Sequence, residues 1–451
     1  MNPRRAAPVP LQAPTPAATR AAAAQPQREN WLLYVFLFLL PLQNLQTGYF
    51  PNLGGGLNFL NIGFALALFG AWRCHGRLAQ WSSLHRWILA YVAYSVFSLF
   101  ISYGTVADTG NHFNMLKDAM LAVMIVFLVQ MSVTGWSAVR HVLLATILPL
   151  PYILRVTWSQ HASVSHWHYS DALRISGTFS LLGANEYASF CVTSLVLMLA
   201  LLVGTHWNWR WRALFAIGIG CTLLGVLWAY SRTSYIALML GAATVLLLWR
   251  GRWKIAVPTL VLAMALPAVL PPSVVERFDS TTLEGNQVDK STEMRFEFWH
   301  IAWENFLAHP LTGSGYHTFQ HPEINPMHMD THNFFMRELT EKGLIGSTIT
   351  LGMLLSILVA AVRTWRDAPP GSLAQAFGLG MIGVWLSLML SNVFGDRFTY
   401  FPMIGYFWAY VGLLLKSREL ALAETTPQPA ATPPQERPRL VFAQPRERHH
   451  A

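Results

Sequence analysis

Apolar runs long enough to cross a bilayer recur along this chain, and no other feature narrows its possible folds as much. A helix of about 20 residues spans the ~30 Å hydrocarbon core because each backbone N–H and C=O is satisfied inside the helix itself. Such runs fall at Trp31 to Tyr49, Leu57 to Trp72, Trp87 to Tyr103, Asn114 to Ser132, His141 to Val156, Asn185 to Val203, Ala213 to Tyr230, Tyr235 to Trp249, Ile255 to Leu270, Leu344 to Val362, Leu373 to Phe394 and Pro402 to Leu415. The expectation is therefore an all-α polytopic membrane protein of about twelve transmembrane helices. Hydrophobic residues make up 53% of the chain and charged residues 12%, which agrees.

The formal charge of +9 raises the question of nucleic acid, but the basic residues are scattered between spans and form no groove interleaved with aromatics, so none is expected. Topology accounts for them better. With the N-terminus cytoplasmic, the inner short loops carry most of the arginines, among them Arg73, Arg77, Arg86, Arg140, Arg210, Arg250 and Arg363, whereas the outer connections hold Arg155, Arg174, Arg232 and Arg397. The asymmetry places the long segment from residue 271 to Gly343 outside, in the periplasm of a cell with two membranes. Cys74, Cys191 and Cys221 lie in or beside spans without paired loop spacing, so neither a disulfide framework nor a thiolate metal site is expected.

The chain then divides into a disordered cytoplasmic tail over 1–30, helices one to nine over 31–270, a periplasmic loop over 271–343, the last three helices over 344–415 and a second disordered tail over 416–451. The tails are rich in Ala, Pro, Gln and Arg and lack the apolar surface to fold alone.

An arginine left on the outer side must be satisfied by an anion, by carbonyls or by water. Arg232 stands in Tyr230-Ser231-Arg232-Thr233-Ser234, a connection so short that its guanidinium sits at the mouth of the bundle; a snorkelling arginine at the head-group boundary is the plainer alternative. Arg174 precedes Gly183-Ala184-Asn185-Glu186, where the chain re-enters the membrane. In the long loop, Met294 to Ala308 reads as an amphipathic helix with Phe298, Trp299, Ala302, Phe306 and Leu307 on one face, ended by Pro310. Arg295 falls in its first turn, where the helix dipole disfavours a cation unless an anion answers it. Gly313-Ser314-Gly315 makes a turn that can bring backbone close to a ligand.

Asp330-Thr331-His332-Asn333 precedes a helical stretch, Phe334 to Lys342, that stops at Gly343 and leads into the span from Leu344, which holds His332 at the membrane surface. An imidazole with a pKa near 6.5 can accept a hydroxyl proton at neutral pH; a solvated loop histidine reads the same way. His317, His321, His328 and His332 with Glu323 and Asp330 offer a competing metal reading, but Pro322 and Pro326 interrupt any helix there and no metal signature occurs, so no metal and no cofactor are expected.

His332-Asn333, nine residues, Gly343, then Leu344-Ile345-Gly346 and a span resembles the signature of the O-antigen ligase and Wzy-type polymerase superfamily. Ser231-Arg232 between adjacent spans, Arg295 with Trp299 four residues on, and Pro310 followed by Gly313 and Gly315 support it. The resemblance implies a fold similar to the GT-C membrane glycosyltransferases. It implies inverting, metal-independent transfer of a glycan from undecaprenyl diphosphate to a hydroxyl acceptor on the periplasmic face of the inner membrane, the acceptor in the ligases being a sugar of the lipid A-core. It also implies His332 as catalytic base, Arg232, Arg295 and Arg174 as diphosphate ligands, and Asn333, Ser231, Gly313 and Gly315 as supporting residues. The single dominant outer loop tilts the reading toward ligase over polymerase, and a transporter that merely holds the lipid diphosphate stays open as a different class.

Overall fold

In the computed structural model the described residues are 28–50, 58–74, 76–164, 170, 173–179, 182–249, 282–283, 287–288 and 290–425. Their regular secondary structure is helical apart from one pair of two-residue strands, Thr282–Leu283 with Gln287–Val288. The helices in chain order are α1 Trp31–Leu39, α2 Gln43–Tyr49, α3 Phe59–Cys74, α4 Ser83–Thr105, α5 His112–Ser132, α6 Trp136–Ile147, α7 Leu150–His161, α8 Ala184–Gly204, α9 Trp209–Trp228, α10 Arg232–Leu248, α11 Lys290–Ala308, α12 Phe334–Asp367, α13 Leu373–Val393 and α14 Phe401–Thr425.

Seven helices among the described residues are long and apolar enough to cross a membrane: α4, α5, the α6–α7 pair taken as one, α8, α9, α12 and α13; α3 and α10 are shorter apolar helices. The expected run Ile255 to Leu270 lies outside the described residues. The others fall on helices, with shifts at prolines and at the C-terminal end. The run from Trp31 to Tyr49 is broken at Pro41 into α1 and α2, and the Gln46 side-chain amide donates to the Leu39 and Leu40 carbonyls at 2.7 and 3.0 Å, satisfying acceptors that the break leaves without an intrahelical partner. The last helix runs on through Thr425 with Lys416 and Ser417 buried, so the polar tail begins later than residue 416.

α8 is the central column: 78% of its most apolar stretch is buried, against 33% in α4 and α9, whose remaining faces are left for lipid. A sequence apolar on all sides can serve either environment, and only packing distinguishes them. The expected helix at Met294 begins earlier, at Lys290, so Arg295 sits in its second turn, where the dipole penalty has faded. Its Phe298 and Ala302 pack with Phe319 in a satellite cluster under Trp299, Ile324 and Met336, while Leu307, expected on the same face, is exposed.

Candidate functional site

α9 and α10 are joined by a turn in which Tyr230, buried, takes a left-handed φ of 47°. That reversal starts α10 at Arg232, with Ser231 as the residue preceding it; the Ser234 hydroxyl donates to the Ser231 hydroxyl at 3.0 Å, so Ser231 serves the turn. Arg232 then lines a cavity of about 250 Å³ together with Thr233, Ile236, Arg295, Phe296, Trp299, Leu390 and Phe394. Two cations supplied by separate segments therefore face one space, with apolar groups of α10, α11 and α13 forming the rest of its wall.

Trp299 links the cavity to the histidine segment, because its indole N–H donates to the Thr331 carbonyl at 3.0 Å. His332 follows in the left-handed region, φ 49°, which costs a non-glycine residue about 1–2 kcal/mol and persists only where the surroundings overdetermine it. They do. Thr331 Oγ1 donates to the Asn333 carbonyl at 2.8 Å, and Asn333 Oδ1 caps α12 by accepting from the amides of Phe335 and Met336 at 3.0 and 3.2 Å. Asn333 is thus the device that turns the chain from loop into helix beside His332. The His332 ring lies 6.1 Å from that of Phe298, centre to centre.

The turn after α11 docks on the joint of α12. Gly343 (φ 61°) interrupts that helix, so the stretch Phe334 to Lys342 ends there and the membrane-crossing part begins at Leu344. The amides of Ser314 and Gly315 donate to the carbonyls of Thr340 and Glu341 at 3.0 and 2.9 Å, and the Leu344 amide to that of Pro310 at 2.9 Å. A Cβ on Gly313 would stand 2.3 Å from the Glu341 carbonyl carbon, one on Gly343 2.4 Å from the Leu311 oxygen, and one on Gly315 2.4 Å from the Ser102 amide of α4. The glycines let three backbones approach, and the approach fixes the angle at which α12 presents His332.

A buried ionic group beneath the site is built largely from residues to which the sequence reading assigned no role. Arg337 pairs with Asp396, which also accepts from the Thr399 hydroxyl and, at 3.1 Å, the Phe398 amide. Arg397 pairs with Glu186 at the start of α8, and Lys342 with Glu338 at 2.9 Å. Adjacent opposite charges in the connection between α13 and α14, and i,i+4 charge pairs entering a span, were the available signals. Burial holds the His332 pKa below the ordinary histidine value, and the Arg295 and Arg397 guanidiniums add to the fall against the opposing carboxylates of Glu186 and Asp396. Burial, aided by Asp396 and opposed by Arg337, pushes the Asp330 carboxyl up to about 6.

Arg174 is not among the residues lining the Arg232–Arg295 cavity. Its guanidinium donates to Asn185 Oδ1 at 2.6 Å, next to the Glu186 that pairs with Arg397. His317 and His321 gather around His112, whose Nε2 is 2.8 Å from that of His321, rather than around His332. Among the described residues no group of three or more His, Cys, Asp or Glu side chains is arranged to hold a metal ion.

No curated protein matches the chain. The family model described as O-antigen ligase (Wzy_C) matches residues 217–351, a stretch that contains Arg232, Arg295 and His332 and excludes Arg174 and Asp396, so this part of the chain is similar to the O-antigen ligase family.

Proposed function

We propose that the protein is an O-antigen ligase that moves a glycan from undecaprenyl diphosphate to a sugar hydroxyl of the lipid A-core, at the periplasmic face of the inner membrane. The observation that carries this reading is the shared cavity: Arg232 and Arg295 face one space, and Arg295 is among the charges that act on His332. The donor diphosphate occupies the cationic side, where planar guanidiniums match phosphate oxygens bidentately and stay charged at any working pH. The apolar side, with Ile236, Leu390 and Phe394, suits the first isoprene units of the carrier.

His332 takes the proton of the acceptor hydroxyl as its oxygen attacks the anomeric carbon. The bond from that carbon to the diphosphate oxygen breaks, and its electron pair leaves on the diphosphate. Backside attack inverts the anomeric centre. Charge that a divalent metal supplies in other transferases comes here from the arginines, so the reading is metal-independent. Arg174, through Asn185, belongs in this reading to the rim of the donor site.

The test is transfer by the purified protein from undecaprenyl-diphosphate glycan in the presence of lipid A-core. Glycan on lipid A-core, lost in His332→Ala, supports ligation. Chain growth on the carrier lipid would assign a polymerase, and retention of donor without covalent product would assign a transporter.

A further inference from the structure

The other end of the bundle carries a second cationic cavity, far from the chemistry at His332. Arg363 lies on α12 twenty residues beyond Gly343, about 30 Å along a helix at ~1.5 Å per residue, which is the thickness of a bilayer core. There a cavity of about 650 Å³ opens between the segment before α4, the end of α12 and the end of α14. Arg86, Arg363 and Arg418 line it, with the Ser82 and Ser83 hydroxyls at the start of α4.

The charges around this space do not cancel. Arg418 donates to Asp367 at 2.7 Å, and the Glu419 carboxylate, which also faces the cavity, is met by Lys416 at 3.2 Å. Arg86 and Arg363 have no acidic partner among the described residues. Arg418 Nε, enclosed in the wall, makes no hydrogen bond among the described residues. Apolar side chains share the lining: Leu415 and Leu422 face the cavity, and so does Trp81, 54% exposed, as an aromatic at the head-group level is.

We propose that this cavity binds the phosphate of an anionic phospholipid in the leaflet opposite the His332 site. Arg86 and Arg363 contact the phosphate, the Ser83 hydroxyl donates to one of its remaining oxygens, and the acyl chains run along Leu415 and Leu422. Basic pockets between membrane helices recognise anionic head groups in this way, and the amphipathic mouth favours a lipid over a soluble anion.

The test uses the full-length protein in detergent, with phosphatidylglycerol and phosphatidylcholine titrated while bound lipid is counted by native mass spectrometry. Two surface arginines at about fivefold each predict that Arg86→Gln/Arg363→Gln weakens phosphatidylglycerol binding by at least tenfold and weakens phosphatidylcholine binding less, because the choline ammonium offsets the phosphate charge. Arg363→Gln alone, at an exposed position, gives about fivefold and serves if the double variant misfolds. Equal phosphatidylglycerol affinity in wild type and variant, or saturation of the site by millimolar inorganic phosphate that displaces the lipid, would overturn the proposal.

Discussion

The Phe334 amide donates to the Gly395 carbonyl at 3.0 Å, which ties the chain two residues past His332 to the connection that carries Asp396 and Arg397. The histidine belongs to the extramembrane loop and the acid–arginine pair to a turn between two late helices. This bond, with the Arg337–Asp396 pair, ties the two segments together. The geometry of the candidate base is therefore set by helix packing rather than by the loop alone.

His332→Ala is expected to lower transfer by about 10² to 10⁴, the usual contribution of a positioned base. Because the imidazolium cannot accept a proton and the native pKa lies below the ordinary 6.5, wild-type activity should fall with acidification only through a midpoint under that value. Arg295→Gln removes a charge that opposes protonation, so the midpoint should rise. Titration of ¹³C-labelled imidazole in both proteins checks the sign, and an unmoved midpoint would remove Arg295 from the neighbourhood of His332.

Arg232→Lys and Arg295→Lys keep the charge but give up the planar pair of donors. One lost charged hydrogen bond is worth about 1.5–3 kcal/mol, so each variant should lose roughly 10- to 100-fold in kcat/KM for the lipid-linked donor. The same lysine change at Arg174, which faces Asn185, should cost less than either. Steady-state kinetics with varied donor measures all three.

Gly343→Ala places a methyl group 2.4 Å from the Leu311 carbonyl oxygen on a backbone with φ of 61°. Strain of about 1–3 kcal/mol and the clash act together, so Tm in detergent should drop and transfer should fall with it. A stable, fully active variant would show that the joint does not position the site.

Arg337→Met removes the ion-pair partner of the buried Asp396, and losing one partner of such a pair costs about 3–5 kcal/mol. Adding Asp396→Leu should return part of the stability, although not the transfer rate. A thermal-unfolding double-mutant cycle measures the recovery.

Asn333→Ala removes the cap of α12 and should cost about 1 kcal/mol, with Asn333→Asp close to wild type because a carboxylate accepts the same two amides. Loss of transfer beyond the loss of folded protein would show that the cap also orients His332.

Much of the architecture was legible in the chain itself. Apolar runs mark most of the membrane helices because a backbone in lipid has few ways to satisfy its hydrogen bonds. Helical periodicity marks α11, and the spacing from His332 to Gly343 marks the short stretch before the span. Arg232 stood out because a charge between two apolar spans is costly without a use, Arg295 because the helix dipole disfavours a cation in a first turn, and His332 because an imidazole held beside a span can accept a proton. Which faces of equally apolar helices meet lipid, and that Gly313 and Gly315 serve a backbone joint, depended on packing.

The sequence by itself determined that this chain has many membrane-length apolar helices and which few ionisable residues border them, because the cost of burying charge and unpaired backbone in hydrocarbon is local and can be read residue by residue. Only the tertiary structure decided that Arg232 and Arg295 share a cavity, that Arg174 turns to Asn185, and that the Asp396 carboxylate acts on His332. Those relations join residues tens to hundreds of positions apart, and they exist only once the helices have packed.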